Sequence, residues 1–269
     1  MKNVLTVQDL SCLGKCSLTV ALPVLSAMGC AATALPTAVL STHTAFPKPH
    51  VRSLTEDISK VCDHWKTVGV SFDAVSIGYL SDPQQAKQVE YLLDSFPAFT
   101  VVDPVMGDHG KLYSRITPEH IDAMKHLAAQ ADVILPNLTE AAALTGLPYR
   151  EQADEGYLQD LTDGLLRLGA KAAVITGVHL QDGAIGYYGR DKEGKNFCYQ
   201  GTLIPRQFHG TGDLFAAVLS GSLLQGLSLN DAARKAAEFV RACVENTQEV
   251  TKHGVEFEKQ LYRLYAHEL

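Results

Sequence analysis

Short apolar runs alternate with longer amphipathic stretches along most of the chain. The β-prone runs cover residues 4–7, 34–40, 73–77, 100–102, 133–135 and 172–176. Amphipathic stretches predict helices over residues 17–28, 53–68, 229–246 and 257–267, and further helices that begin near residues 83, 117, 137 and 211. Two more strands, over residues 184–188 and 196–199, are predicted to pair in an antiparallel manner. The alternation of strands and helices predicts an α/β fold with a mainly parallel central sheet covered by helices.

Several predicted helices begin with capping signals. Ser53 with Glu56, and Asn137 with Glu140, have the spacing of a capping box, in which side chains satisfy free backbone N–H groups. Thr117 precedes a proline, which is favoured in the first turn of a helix. These signals predict where three of the helices start.

The length of the chain and the absence of sequence repeats predict a single domain over residues 1–269. No linker-like or low-complexity tract divides the sequence. In open parallel sheets, ligands bind beyond the carboxyl ends of the strands. Polar residues that follow the predicted strands are therefore the first candidates for a functional site.

Composition narrows the classes of partner. The chain has 23 basic and 30 acidic residues, a net charge of −7, which argues against a nucleic-acid partner. Its apolar runs fall short of the roughly 20 residues needed to span a bilayer, and its first residues do not form a signal peptide. The six cysteines are scattered without metal-site spacing, as in a reducing compartment. We therefore expect a cytoplasmic protein with no membrane partner.

The segment from Gly210 to Asp213, Gly-Thr-Gly-Asp, carries the sharpest chemical signal. It precedes a helix of small apolar residues, so several backbone amides at the helix start are expected to point at one anion. Asp213 would lie in the first turn, where a carboxylate can accept the proton of an attacking hydroxyl. The alternative is that Asp213 only caps the helix. The spacings of a Walker phosphate loop and of a dinucleotide-binding glycine motif are both absent from the sequence.

Three motifs together resemble a known family. Residues 103–108, Asp-Pro-Val-Met-Gly-Asp, are followed by Leu-Pro-Asn-Leu-Thr-Glu at 135–140 and by Gly-Thr-Gly-Asp at 210–213. In this order they resemble the vitamin kinase branch of the ribokinase-like superfamily, which includes pyridoxal, pyridoxamine and hydroxymethylpyrimidine kinases. The resemblance spans nearly the whole chain and implies a ribokinase-like fold with helices on both faces of the sheet.

The resemblance also implies roles for residues at the phosphate end of the site. Asp213 matches the catalytic base, and Gly210, Thr211 and Gly212 match the anion hole around the transferred phosphoryl group. Asn137 and Glu140 match an element that helps to hold Mg²⁺ and phosphate, mostly through water. Asp103 matches an aspartate near the nucleotide phosphates and the metal, and Thr176 with Gly177 matches a strand end near ATP. The alternatives are a plain capping box for Asn137 and Glu140, and simple turns for the other positions.

Substrate contacts are implied for residues after the first two strands. Asp9, Ser11, His43 and Thr44 lie there, and residues 42–44 resemble the Asn-His-Thr stretch of pyridoxal kinases. Many of those kinases carry serine where this chain has Asp9. We hypothesise that Asp9 binds a protonated ring nitrogen or the amine of pyridoxamine. The loop over residues 107–113 follows a strand and either closes over the substrate or is an ordinary surface loop.

These features together predict an enzyme that transfers phosphate from ATP, with Mg²⁺, to the hydroxymethyl group of pyridoxal, pyridoxamine or pyridoxine. Hydroxymethylpyrimidine kinase is the alternative that uses the same phosphate machinery. A catalytically silent nucleotide- or vitamin-binding protein is an alternative of another class, and a sugar kinase is a weaker one. The resemblance further implies a homodimer, and it leaves open whether a monovalent cation is required.

Overall fold

The computed structural model describes residues 1–265, and its centre is a nine-stranded sheet. The strands of this sheet are β1 (Asn3–Ser11), β2 (Ala31–Leu40), β3 (Val51–Ser53), β4 (Ala74–Ile77), β5 (Phe99–Val102), β8 (Val133–Ile134), β9 (Ala173–Val178), β10 (Ala184–Arg190) and β11 (Asn196–Thr202). Two short strands, β6 (Gly107–Asp108) and β7 (Lys111–Leu112), form a separate hairpin.

The helices cover both faces of the sheet. They are α1 (Leu18–Ala27), α2 (Thr55–Val68), α3 (Gln84–Ser95), α4 (Pro118–Ala128), α5 (Leu138–Thr145), α6 (Glu155–Arg167), α7 (Thr211–Leu224) and α8 (Leu229–Asn246), followed by a 3-10 helix (Glu258–Leu264). Helices α1, α7 and α8 contribute to the apolar core on one face, and α2 to α6 contribute to the core on the other. Within residues 1–265, no helix is both long and apolar enough to cross a bilayer.

The order of strands in the sheet is β11-β10-β9-β8-β5-β4-β1-β2-β3. The six strands from β9 to β2 are parallel to one another, whereas β3, β10 and β11 pair in an antiparallel manner. The carboxyl ends of β1, β2, β4, β5, β8 and β9 therefore meet at one edge of the sheet. Side chains alternate between the two cores, as period-two strands require: Ala74 joins the core with α7, and Val75 joins the other. The predicted α/β fold is confirmed.

One capping prediction is wrong and another is confirmed. Helix α2 is preceded by Leu54, and Ser53 belongs to β3, where its hydroxyl bonds the hydroxyl of Thr55 at 2.7 Å. The capping box of Asn137 and Glu140 is present at the start of α5. Pairing of β3 with the end of β2 takes Ser53 out of the helix start, which local sequence spacing does not reveal.

Two elements differ from the sequence prediction. Helix α6 was not predicted, because glycines within it lower its intrinsic helix propensity. Gly164 is needed there for packing, since a Cβ at that position would lie 2.5 Å from the Cγ2 of Thr145. Near the chain end, a 3-10 helix replaces the helix predicted over residues 257–267, whose last two residues lie outside the described range.

Candidate active site

The predicted site residues form a row along the carboxyl edge of the sheet. Thr176 lies on β9, Asn137 follows β8, Asp103 follows β5, Asp9 lies near the end of β1, and His43 follows β2. The strands lie in the order β9, β8, β5, β4, β1 and β2 in the sheet. The residues predicted to bind the nucleotide therefore lie at one end of the row, and those predicted to bind the substrate lie at the other. A parallel bridge between Asn137 and Thr176 closes the nucleotide end.

The start of α7 lies over this row and requires glycine. Gly210 precedes α7 with φ of +86°, and a Cβ on it would lie 2.1 Å from the carbonyl oxygen of Lys15. Both the left-handed backbone and the close approach exclude larger residues. The N–H groups of the following turn, which includes Thr211 and Gly212, have no partners within the helix. Together with the helix dipole they form a site for an anion.

Asp213 lies in the first turn of α7 and is mostly shielded from solvent. Its pKa is raised to about 6, mainly by burial and to a smaller extent by the nearby charge of Asp9. A backbone hydrogen bond donated by the N–H of Ser17 acts in the opposite direction. At neutral pH Asp213 is therefore ionised yet basic enough to accept a proton from an alcohol.

Asp9 is buried, with 4% of its surface exposed. The hydroxyl of Ser17 donates to one of its carboxyl oxygens at 2.5 Å, and the hydroxyl of Ser11 donates to the other at 2.9 Å. Burial raises the pKa of Asp9, and the two hydroxyls partly offset that rise. The nearby His43 also lowers the pKa of Asp9. Ion pairs among residues 1–265 do not include Asp9, so the substrate end contains a carboxyl that is fixed by hydroxyls and not by an ion pair.

Asp103 and Glu140 form a second acidic pair towards the nucleotide end. Burial and the charges of Glu140 and Asp213 raise the pKa of Asp103 well above its usual range. Its Oδ2 lies 3.9 Å from the position that a Cβ on Gly212 would take, which places it beside the start of α7. Burial raises the pKa of Glu140 to about 7, although three backbone N–H groups lower it.

Asn137 and Glu140 also hold the β6–β7 hairpin in place. The Glu140 carboxylate accepts N–H groups from Met106 at 2.9 Å and Gly107 at 3.4 Å as well as from Asn137 at 2.9 Å. The Asn137 side chain donates to the Gly107 carbonyl at 2.8 Å, and the Gly110 N–H donates to a hydroxyl on α5 at 2.8 Å. The predicted loop over residues 107–113 is therefore a hairpin anchored on α5.

His43 lies at the substrate end, but both of its ring nitrogens already have partners. Its Nε2 lies 2.6 Å from the carbonyl oxygen of Lys252, and its Nδ1 accepts the N–H of Ala45 at 3.3 Å. The ring packs edge-on against Phe46 and lies 4.9 Å from the ring of His209. His43 therefore ties this loop to the C-terminal segment, and a substrate contact would use its ring face. Thr44, next in sequence, is exposed.

Thr176 and Gly177 do not end their strand, contrary to prediction. Strand β9 continues to Val178, and the register with β10 shifts where Gly177 is inserted. Gly177 has φ of +67° and open space around its missing side chain, so it forms a bulge in the strand. The bulge leaves an exposed backbone surface at the nucleotide end of the row.

The donor set of the site suits a metal that keeps much of its water. Among the residues described, His, Cys, Asp and Glu side chains do not form any group of three or more that could hold a metal ion. Asp103 is a partly buried carboxyl beside the start of α7, while Glu140 accepts hydrogen bonds from three backbone N–H groups. Proteins generally bind Mg²⁺ with one or two carboxylates together with water and substrate phosphates, and the carboxyls at this site fit that pattern.

Tyr79 and Ser17 were not identified from the sequence, and Tyr113 was identified only as part of the loop over residues 107–113. Tyr79, which follows β4 and is 7% exposed, lies near the charges of Asp9 and Arg115. Tyr113, which follows the hairpin and is 40% exposed, lies near the charges of Glu140 and Asp213. Ser17 donates its hydroxyl to the carboxyl of Asp9. The position of Tyr79 directly after a buried strand was an available signal, whereas Ser17 has no sequence signal.

Comparison with known proteins agrees with this geometry. The phosphomethylpyrimidine kinase family matches residues 20–257. A crystal structure from Bacteroides thetaiotaomicron with pyridoxal, provisionally called a phosphomethylpyrimidine kinase, is 36% identical with a TM-score of 0.94, covering 98% of this chain and 95% of that chain. A Lactobacillus plantarum pyridoxal kinase structure is 36% identical with a TM-score of 0.90, covering 98% and 96%. The hydroxymethylpyrimidine/phosphomethylpyrimidine kinase of Bacillus subtilis is 28% identical over 73% of this chain and 70% of its own length.

The fold and the site define a ribokinase-like protein. The chain belongs to the phosphomethylpyrimidine kinase family. Its similar proteins act on vitamin precursors of two kinds, and the chain is accordingly a kinase of vitamin B6 or of hydroxymethylpyrimidine.

Proposed function

We propose that this protein phosphorylates the hydroxymethyl group of pyridoxal, pyridoxamine or pyridoxine with ATP, as a vitamin B6 salvage kinase. The observation that carries the choice of substrate is the buried Asp9 carboxyl at the acceptor end of the site, which is held by two hydroxyls and forms no ion pair with residues 1–265. A pyridine nitrogen carrying a proton, or the amine of pyridoxamine, supplies the missing positive charge. The structural similarity to a protein bound to pyridoxal supports the same choice.

The alternative acceptor is hydroxymethylpyrimidine or its phosphate, which the family match and the Bacillus subtilis relative favour. A phosphorylated acceptor would bring a further negative group towards Asp9 and Asp213. Burial already raises the pKa values of both carboxyls, which shows that negative charge is disfavoured there. Like charges close together in a shielded site repel strongly. This electrostatic argument favours acceptors that do not yet carry phosphate. A silent binding protein has no need of a base with the pKa of Asp213.

The reaction is a direct in-line transfer. Asp213 accepts the proton of the vitamin hydroxyl as its oxygen forms a bond to the γ-phosphorus, and the bond from that phosphorus to the β-γ bridging oxygen breaks to release ADP. The free amides of Gly210 to Asp213 hold the transferred group. Asp103, with Glu140 behind it, would hold Mg²⁺ through water. Mg²⁺ neutralises phosphate charge when it is bound. We also propose that the protein is a homodimer.

A coupled ADP-release assay tests the choice of acceptor. Wild-type protein with ATP and Mg²⁺ is incubated with pyridoxal, pyridoxamine, pyridoxine, hydroxymethylpyrimidine and the pyrimidine phosphate. We expect turnover of the pyridines and little turnover of the phosphorylated pyrimidine. If only the pyrimidines are turned over, the vitamin B6 proposal is wrong. If none is turned over, the silent binder and the sugar kinase become the better explanations.

A further inference from the structure

A four-residue segment after α8, residues 252–255, contacts two loops at the acceptor end of the site, and we call it the strap. The carbonyl of His253 accepts the N–H of Lys15, in the loop after β1, at 2.7 Å. The carbonyl oxygen of Lys252 lies 2.6 Å from the Nε2 of His43, in the loop after β2. The strap therefore joins the loops that follow the two strands of the acceptor end.

The strap also contacts the loop that leads into α7. The N–H of Val255 donates to the carbonyl of His209 at 3.1 Å, and His209 directly precedes Gly210, where the anion site begins. In the proposed transfer, the acceptor lies against the loops after β1 and β2, and the transferred phosphoryl group lies against the start of α7. One short segment is thus bonded to both sides of the reacting pair.

Gly254 lies where the strap passes between two of these loops, and it is buried with φ of +100°. A Cβ on Gly254 would lie 2.9 Å from the carbonyl oxygen of His209 and 3.0 Å from that of Lys15. Both neighbours are backbone atoms, which cannot rotate aside as the end of a flexible side chain can. Glycine is therefore needed at this position for the backbone conformation and for the close approach.

The contact with Lys252 also fixes the tautomer of His43. A carbonyl oxygen only accepts hydrogen bonds, so Nε2 must carry the hydrogen, and Nδ1 then accepts the N–H of Ala45 at 3.3 Å. The ring also lies close against the loop after β1, since a Cβ on Gly14 would be 2.1 Å from its Cδ2. His43 therefore links the strap to both acceptor loops.

The loop before α7 has a second anchor that does not involve the strap. The guanidinium of Arg206 donates to the carbonyl of Val244 at 3.0 Å and to that of Thr247 at 2.7 Å, at the end of α8. Because Arg206 holds this loop on α8, displacement of the strap should leave the anion site in place and move the acceptor loops relative to it.

We propose that the strap holds the acceptor at the in-line distance from the anion site, and that Gly254 is its positioning residue. The inference rests on the proposed function, since it concerns the same phosphoryl transfer, and it adds a part for a segment outside the sheet edge. Transfer requires reacting atoms about 3–3.5 Å apart, and a displacement of about 1 Å can lower the rate about 10²-fold. A segment that joins the acceptor loops to the anion site controls this distance.

Two glycine variants separate a displaced strap from a strained backbone. Gly254→Ala combines a positive φ with close contacts to two carbonyl oxygens, so the strap should move. Gly226→Ala is the matched control, since its φ is +89° and nothing lies within 4 Å of an added Cβ. Both variants carry the same kind of backbone strain, but only Gly254→Ala should alter the site.

The first measurement is amide hydrogen exchange of ligand-free protein, which does not depend on turnover. The N–H groups of Lys15 and Val255 lose their partners when the strap moves, so peptides that contain them should exchange about tenfold faster in Gly254→Ala than in wild-type protein. In Gly226→Ala, these peptides should exchange as they do in wild-type protein. Equal exchange in the two variants would overturn the proposal, whatever the enzyme acts on.

If Gly254→Ala does not fold, the pair His43→Gln and His43→Leu provides the exchange test. The glutamine amide keeps an N–H donor for the carbonyl of Lys252, whereas leucine has none. Peptides that contain Lys15 and Val255 should exchange faster in His43→Leu than in His43→Gln. Equal rates in this pair would equally overturn the proposal.

The second measurement is steady-state kinetics on a vitamer that wild-type protein turns over. In Gly254→Ala, kcat should fall about 10²-fold while the KM for ATP stays as in wild-type protein. Gly226→Ala should keep its kcat. Equal kcat values for the two variants, or a change in the KM for ATP alone, would show that the strap does not position the acceptor. Absence of turnover by wild-type protein would refute the proposed function, and hydrogen exchange would still decide whether Gly254 holds the strap in place.

Discussion

Replacing Asp213 by asparagine should make the protein inactive and, at neutral pH, more stable. Asparagine has nearly the shape of aspartate but cannot become charged or accept the acceptor's proton. As the general base, Asp213 is expected to contribute about 10²–10⁴-fold to turnover. The buried charge, in contrast, works against folding. A gain in stability that accompanies a loss of activity distinguishes a functional carboxylate from one that only caps α7, because loss of a cap lowers stability.

The magnitude follows from the pKa. Burial raises the pKa of Asp213 from 3.8 to about 6, so the folded protein binds this proton more tightly than the unfolded chain does. The protonated Asp213 carboxyl therefore contributes to the free energy of unfolding. This contribution is complete below pH 3.8 and is lost as pH rises through about 6. At about 1.4 kcal/mol per pKa unit, this shift corresponds to at most about 3 kcal/mol. Partial access of water to the side chain reduces it, so we expect a gain of about 1–3 kcal/mol for Asp213→Asn.

Urea denaturation at several pH values measures this difference. The free energy of unfolding of Asp213→Asn should exceed that of wild-type protein above pH 6, and the two should converge towards pH 4. Asp73→Asn is the matched control, since a hydrogen bond and an ion pair with Lys2 lower the pKa of Asp73, and its loss should destabilise the protein at neutral pH. If Asp213→Asn is no more stable than wild-type protein at pH 7, the electrostatic account of the base is refuted.

Three further substitutions test other parts of the site. Glu140→Ala removes the acceptor of three backbone N–H groups and should cost about 3 kcal/mol or more, measured by denaturation; unchanged stability would contradict the anchoring of the hairpin. Gly210→Ala places a Cβ 2.1 Å from the Lys15 oxygen and should abolish most turnover. The control is Gly226→Ala, where φ is also positive at +89° but the space is open, so this variant should lose stability and keep its activity. Similar kinetics for the two variants would contradict the close approach at α7. Asp9→Ala should weaken pyridoxamine more than pyridoxal, measured as kcat/KM, and equal losses on both would contradict a role in binding a cationic nitrogen.

The parallel sheet and the phosphate end of the site were predictable because their signals are local. Buried strands are short apolar runs, and the capping box of Asn137 and Glu140 requires residues only three positions apart. The glycine before the first turn of α7 was an informative signal, since Gly210 adopts a positive φ. Parallel strand ends then converge at one edge by topology alone. Sequence spacing was therefore sufficient to bring Asp9, Asp103 and Asp213 together.

The parts that sequence could not predict depend on contacts between distant segments. Helix α6 forms despite its glycines because Gly164 packs closely on α5. His43 was predicted to contact substrate, but the C-terminal segment supplies the partner of its Nε2. Ser17 reaches the carboxyl of Asp9 only when the start of α1 packs beside β1. Each of these features depends on tertiary packing that overrides local propensity.

The most direct test of the central claim is phosphoryl transfer to pyridoxal by wild-type protein and by Asp213→Asn, measured side by side at pH 7.5. Phosphorylated vitamer is identified by mass spectrometry, and ADP is counted in the same samples. We predict one ADP for each phosphorylated vitamer with wild-type protein, and a rate about 10²–10⁴-fold lower with the variant although ATP and pyridoxal still bind. Equal rates for the two proteins, or a change in KM alone, would contradict the assignment of Asp213 as the base.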